Sequence, residues 1–262
     1  TIWWRRPRRP VSESTVDDTT REFLRSEWEH FLGGLESFTE ARWVNSPGAS
    51  YLANRKALQL VTANMVGLRV PRTAITNDPD AVHALVDEGV PLIYKRLGAT
   101  ARPVMITREL LPEDLDRLSS LTSCPAIFQE RIDARLDIRV TVMGDRLYAA
   151  EIDSQSGDAP LDWRLDHSVA MRPHTLDAQT AACLYALMRR LGLLYGAIDL
   201  RLTPEGEYVF LEVNPSGQFL FLELVAGMPL SELMAGFLAG DDAASPPRGP
   251  ESTGHVSTQH SL

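Results

Sequence analysis

The chain has 262 residues, 44% of them apolar and 23% charged, which suffices for one large domain or two small ones around an ordinary core. Its net charge of −9 argues against broad nucleic-acid or anionic-membrane binding, and no apolar run reaches the roughly 18 residues a membrane helix needs. Cys124 and Cys183 lie far apart, with no Cys or His at metal-ligand spacing, so they read as reduced thiols of a cytoplasmic protein and no zinc site is expected.

The chain opens on Thr1 rather than Met, followed by Ile2, Trp3 and Trp4. An apolar start without a signal peptide leads us to expect that residues upstream are missing. Arg5, Arg6, Arg8 and Arg9 form a basic arm that reads as a solvated tail. Residues 13–38 carry a helical pattern, with Phe23, Leu24, Trp28, Phe31, Leu32 and Leu35 at three- and four-residue steps and Gly33-Gly34 weakening the end. Residues 39–50 read as a loop, and 52–66 as a second helix stopped at Gly67.

The rhythm then changes. Thr73–Thr76 reads as a short strand, Asp78-Pro79 opens a helix through Val86, and 91–97 and 103–107 read as strands. Pro112-Glu113 starts a short helix through Leu118, and 125–131 is a strand ending in Gln129-Glu130. Residues 137–143 and 146–153 pair as a hairpin about Gly144-Asp145. Residues 175–191 form a strong helix capped by Gly192. Strands follow at 195–202 and 207–213, and a last helix at 218–238. From Gly240 onward the chain lacks apolar content and reads as disordered. Mixed helices and strands with hairpins favour an α+β architecture over a doubly wound parallel sheet.

Of 26 lysines and arginines only Lys56 and Lys95 are lysines. In so arginine-rich a chain, a retained lysine is a candidate for work that arginine's broad fork does poorly, such as placing a point cation in a phosphate site. Lys95 ends an apolar run (Val90 to Tyr94), which projects it from a strand into a cleft.

The chemistry concentrates near the C-terminus. Asp199 lies in an apolar strand, and Glu212 and Asn214 share one face of another through their two-residue step, with Leu211 and Val213 turned into the core. Two carboxylates and an amide oxygen make a hard-oxygen site of the kind magnesium prefers. The alternative is a strand-end salt bridge with Arg201; Asn214 adds nothing to a salt bridge and is a natural ligand, which favours the metal. Asp137 and Arg139 share one strand face, where Arg139 suits a phosphate clamp, and Gln129 and Glu130 close a strand where they suit a heterocycle and a ribose.

Lys56, Lys95, Phe128–Ile132, Asp137-Ile-Arg139, Asp199 and Glu212-Val-Asn214 occur in the order of an ATP-grasp ligase. The resemblance covers roughly residues 50–238. It is closest to the microviridin-type peptide maturases, the graspetide synthetases, through Trp3-Trp4-Arg5-Arg6-Pro7, Trp43-Val-Asn-Ser-Pro47, Asn54-Arg-Lys56 with Gln59-Leu60, Gly67-Leu-Arg-Val-Pro71 with Thr73, Asp162-Trp-Arg164 and Glu212–Gln218. It implies an ATP-grasp fold in which two α+β subdomains grip ATP. Residues 1–50 would be an N-terminal remnant and helix, 51–128 a central subdomain with a lid over 70–127, 129–240 a C-terminal subdomain with the metal site, and 241–262 a tail. The N-terminal domain that normally precedes the Trp-Trp-Arg-Arg segment is expected to be absent, which puts substrate binding, dimerisation and solubility in question.

The resemblance also implies roles. Lys56 and Lys95 would contact phosphates, and Glu130 with the backbone near Ile132 would hold adenine. Gln129 would help bind the nucleotide, Asp137 would reach the ribose, and Arg139 would stabilise the transferring phosphoryl group. Asp199, Glu212 and Asn214 would bind Mg2+. Arg164 would hold a substrate carboxylate and Asp162 would orient it or help deprotonate the acceptor; a structural Asp–Arg pair beside a packed Trp163 stands as the alternative. The implied reaction joins Asp or Glu side chains of a precursor peptide (leader plus core) to Ser, Thr or Lys side chains, in a homodimer. Addition of free amino acids to a peptide, and a truncated ATP-binding module, remain alternatives.

Overall fold

A computed structural model describes residues 1–7, 16–98, 107–159, 161–165 and 168–240. The expected strand at 103–107 and the tail from 241 fall outside the described residues, Thr107 excepted, as do Arg8 and Arg9.

Two short segments open the fold. β1 (Ile2–Trp3) pairs in parallel with β2 (Trp43–Val44), which lies inside the segment expected to be loop. Between them α1 (Asp18–Gly34) is capped by the Asp17 carboxylate, which accepts from the Thr20 amide at 2.9 Å. None of its residues is buried, and Phe23, Trp28 and Phe31 of the expected stripe stay exposed. The helix expected at 52–66 is two: α2 (Pro47–Ala53), capped by Ser46, and α3 (Lys56–Met65). The Asn54 side chain donates back to the Ser50 carbonyl at 2.8 Å, and Arg55 is extended, so Lys56 begins a new helix. Gly67, with φ +90°, adopts the left-handed backbone that ends α3 as expected.

A four-stranded antiparallel sheet follows, built from β3 (Thr73–Thr76), β4 (Leu92–Lys95), β5 (Arg108–Glu109) and β6 (Ala126–Glu130) in the order β3-β6-β4-β5. α4 (Pro79–Asp87), capped by Asp78, and α5 (Pro112–Leu115) flank it. Its core is small: Val82, Leu118, Leu121 and Phe128.

The second sheet is larger. β7 (Leu136–Met143), β8 (Arg146–Ile152), β9 (Met171–His174), β10 (Tyr195–Leu202) and β11 (Tyr208–Asn214) run antiparallel in the order β11-β10-β7-β8-β9. β9 carries little apolar pattern and was not expected; its Met171 pairs with Ile152. One face packs Ile138, Val140, Ile198, Leu200 and Phe210 against Leu184 and Leu187 of α6 (Ala178–Arg190). On the other face Met143, Ile152 and Tyr195 meet Trp163, Phe219 and Leu222. The helix expected at 218–238 divides into α7 (Leu220–Ala226) and α8 (Leu230–Ala239), because Gly227 turns left-handed (φ +66°) and Pro229 lacks a backbone donor.

The expected solvated arm is also corrected in part. Trp3 packs near Tyr195 and Phe219, with centroids at 6.3 and 6.5 Å, and Arg5 and Arg6 reach the carbonyls of Gly217 and Ser216. No helix among the described residues is long and apolar enough to cross a membrane.

Candidate active site

The site is built on one face of the five-stranded sheet. On β7 the odd-numbered residues Asp137 and Arg139 face it, and on β10 Asp199 and Arg201 do. The register sets Arg139 opposite Asp199 and Asp137 opposite Arg201, so two crossed ion pairs lie side by side. Arg139 Nη1 donates to both Asp199 oxygens, at 2.7 and 2.8 Å. Arg201 Nε donates to Asp137 at 3.2 Å, and its Nη1 to the Ile132 carbonyl at 2.7 Å. Arg201 therefore serves Asp137.

β11 adds the other two oxygen donors. The β10–β11 ladder pairs Asp199 with Glu212 and Ala197 with Asn214, but Leu200 with Phe210. Leu211 is the extra residue of a bulge, and Phe210 fills the core in its place, alongside Val213. Such a bulge re-aims a side chain; here it sets Glu212 across from Asp199. Glu212 meets the ammonium of Lys56, from the first residue of α3, in a pair whose side chains are each 22% exposed.

Two more cations gather there. Arg164 Nη1 lies 3.6 Å from the other Glu212 oxygen. Lys95 is anchored to Gln129 Oε1 at 2.8 Å, while Gln129 Nε2 donates to Thr73 at 2.9 Å. Burial pushes Lys95 down to about 8; Glu212 partly restores it, and Lys56 and Arg164 press it further down. Burial alone would raise Glu212, but Lys56, Lys95 and Arg164 outweigh it and hold the carboxyl at about 2. Asp137, buried behind Arg201, is pushed up by loss of solvent, against the pull of Arg201. The two lysines thus converge on the carboxylate side of the site.

The remaining expected residues occupy definite places. Glu130 accepts from the Arg72 amide at 3.0 Å. Ile132 is buried at the edge of a cleft of about 440 Å³ lined by Glu109, Arg131, Asp133, Asp162 and Arg201. Lys56, Lys95 and Glu212 are not in that lining. Asp162 grips Arg164 bidentately, at 2.6 and 2.7 Å, and this hydrogen bonding keeps the guanidinium charged. Trp163 between them is buried against Phe221 at 5.2 Å, and the Arg139 guanidinium lies 6.0 Å from its ring. The Asp–Arg pair beside a packed tryptophan is present, and it also points at Glu212.

One functional residue had no assigned role in the sequence reading. Gln59 is 3% exposed; its amide donates to the Val213 carbonyl at 2.8 Å and accepts from the Val213 amide at 3.0 Å. It caps the open edge of β11 between Glu212 and Asn214. A polar residue on a helix face carries no pattern that announces such a contact.

Among the described residues no group of three or more His, Cys, Asp or Glu is placed to hold a metal; the set here is two carboxylates and an amide. No family model matches the chain, and no curated protein does. Solved structures match closely. The macrocyclase MdnC from Microcystis aeruginosa MRC, bound with precursor peptide MdnA, is 34% identical with a TM-score of 0.81, over 91% of this chain and 77% of that one. A Chryseobacterium gregarium RiPP-associated ATP-grasp ligase, in complex with ADP and a leader and core peptide, is 27% identical with a TM-score of 0.81, over 91% and 75%. The ATP-grasp ligase PsnB, complexed with a phosphomimetic minimal precursor, Mg and ADP, is 27% identical with a TM-score of 0.71, over 87% and 76%. With 34% of its residues identical over 77% of a macrocyclase's length, on the same fold, the chain belongs to the ATP-grasp ligases that mature ribosomally made peptides.

Proposed function

We propose that the chain is an ATP-dependent ligase that activates Asp or Glu side chains of a ribosomally made precursor peptide and joins them to Ser, Thr or Lys side chains of the same peptide. The observation that carries this reading is the meeting of Lys56, Lys95 and Arg164 about Glu212, opposite Asp199. Six structures of such relatives hold a precursor, its variant or a leader and core peptide, and two of these also hold Mg and ADP.

The donor set suits magnesium. Asp199 and Glu212 supply two carboxylates, and Asn214 Oδ1, which accepts from the Ser216 amide at 2.9 Å, keeps a second lone pair. Protein cations already sit on both carboxylates, so the pair is built to face positive charge. Magnesium, when bound, offsets the charge of the phosphates.

The residues of the chain do the rest. Lys56 and Lys95 hold the phosphates, and Gln129, Glu130, Ile132 and Asp137 hold the nucleoside. A substrate carboxylate oxygen attacks the γ-phosphorus, and the bond to the β-phosphate oxygen breaks, giving an acyl phosphate and ADP. A hydroxyl or amine then attacks the acyl carbon, phosphate leaves, and the acceptor's proton is lost, with one water removed per ring. Arg139 stabilises the transferring phosphoryl group. Arg164 holds the carboxylate to be activated, and Asp162 orients Arg164. We place this chemistry in the cytoplasm, in keeping with two unpaired thiols, Cys124 and Cys183, and in a homodimer.

The deciding experiment incubates the chain with ATP, Mg2+ and a peptide encoded beside it that is rich in Thr and Asp or Glu. Peptide-dependent ADP release with loss of one water per ring is the expected result. A mass gain equal to a free amino acid, or no ADP release, would refute it.

A further inference from the structure

The turn that leaves β11 is held from outside along four consecutive carbonyls. Pro215 O accepts from Asn45 Nδ2 at 3.0 Å, and Ser216 O from Arg6 Nε at 3.2 Å. Gly217 O accepts from the Tyr195 hydroxyl at 2.7 Å, with Arg5 Nη2 at 3.5 Å, and Gln218 O from Arg139 Nη2 at 3.1 Å. The turn begins directly after Asn214.

Asn45 is the keystone. It is 1% exposed and uses its full amide capacity, donating also to the Tyr195 carbonyl at 2.7 Å and accepting from the Leu194 and Tyr195 amides at 2.7 and 2.8 Å. One side chain therefore ties the start of β10, which carries Asp199, to the end of β11, which carries Glu212 and Asn214. Arg6 reaches its carbonyl with a positive φ of +46°, a backbone setting that non-glycine residues rarely adopt. The turn also lies flush on the strand: a Cβ on Gly217 would sit 2.2 Å from that of Ala197.

Ordinary satisfaction of buried carbonyls accounts for one or two such bonds. It does not account for side chains from residues 6, 45, 139 and 195 meeting four carbonyls in a row, one of them the arginine that also grips Asp199. We infer that Asn45 is a positioning residue for the metal-binding trio: with Arg6 and Tyr195 it fixes the Asn214–Gln218 turn against β10, and so sets Asn214 relative to Asp199 and Glu212. This rests on reading those three residues as the magnesium site.

The test titrates Mg2+ calorimetrically into the full chain with ADP present. Asn45→Asp keeps the shape and both acceptor bonds but cannot donate to Tyr195 or Pro215. Its half-saturating Mg2+ should rise about 10–100-fold, as for outer groups that orient metal ligands, while ADP binding without metal stays at the wild-type value. Arg6→Ala, an exposed change that leaves the core intact, should raise it about threefold, the loss of one hydrogen bond. Glu212→Gln is the control. If it keeps wild-type Mg2+ binding, the trio is not the metal site and the inference falls with it. If it loses Mg2+ binding while Asn45→Asp and Arg6→Ala keep the wild-type half-saturation, the positioning role alone is overturned. Should Asn45→Asp fail to fold, Arg6→Ala decides.

Discussion

The two sheets solve opposite problems. The five-stranded sheet is covered on both faces, with Val140, Ile198 and Phe210 fully buried on one side and Ile152 and Tyr195 on the other. Its charges lie fixed in facing pairs. The four-stranded sheet has strands of two to five residues and, among the described residues, one apolar cluster of four buried side chains with Leu92 and Ile127 also buried, and it delivers Lys95 and Gln129 from a thin layer. Local opening follows buried apolar contact, so we propose that the first sheet is a platform and the second the part that moves over it.

Four experiments break or sharpen that contrast. Glu212→Gln strikes the platform where Lys56 of α3 and Lys95 of the four-stranded sheet meet. Ring formation should fall by at least about 10²–10³-fold, the scale of losing one preorganised electrostatic contact, read as peptide-dependent ADP release. Arg164→Ala should lower ring yield about 10²-fold while nucleotide affinity stays within about twofold, since a positioning contact is lost and the phosphate lysines are untouched. Equal loss of both would make Arg164 a structural partner of Asp162 only.

The third concerns Lys95, held near 8 when its ordinary value is 10.5. Between those limits the folded chain carries it neutral and the unfolded chain carries it charged. Stability from this group therefore rises with pH across that window. Nucleotide affinity moves the other way, falling up to about tenfold per pH unit above 8, because binding must first protonate the amine. Calorimetry in buffers of different ionisation enthalpy should register proton uptake at pH 8.5, and none in Lys95→Met. The smallest effect belongs to Arg69, which bridges the sheets by pairing with Glu207 and lying 4.0 Å from Glu130. Both pairs are solvent-exposed or partly so, and Arg69→Ala should cost under about 1 kcal/mol in chemical denaturation.

Sequence reading served the platform better than the thin sheet. The hairpin at Gly144-Asp145, the strands of residues 195–214 and the placing of Glu212 and Asn214 on one face follow from alternation and turn chemistry. The Leu211 bulge does not, because it depends on which partner residue β10 offers; the expected inward Leu211 is replaced by Phe210. Lys56 and Lys95 stood out by scarcity, and their meeting at Glu212 is tertiary. The breaks at Asn54-Arg55 and Gly227-Met228-Pro229 were written in local chemistry and passed over for a longer apolar period. Gln59 and Asn45 enter the sequence reading only as letters of the resembling stretches, since no periodicity announces the contacts a buried amide makes.

The closeness of Gly217 to Ala197 bears on how such a ligase can be re-engineered. A library randomising residues 214–218 has one letter settled beforehand: any side chain at 217 collides with the neighbouring strand, whereas residue 216 is held from Arg6 through its backbone carbonyl, which any residue supplies. Selection for new ring patterns should therefore return glycine at 217 almost without exception and spread its diversity elsewhere.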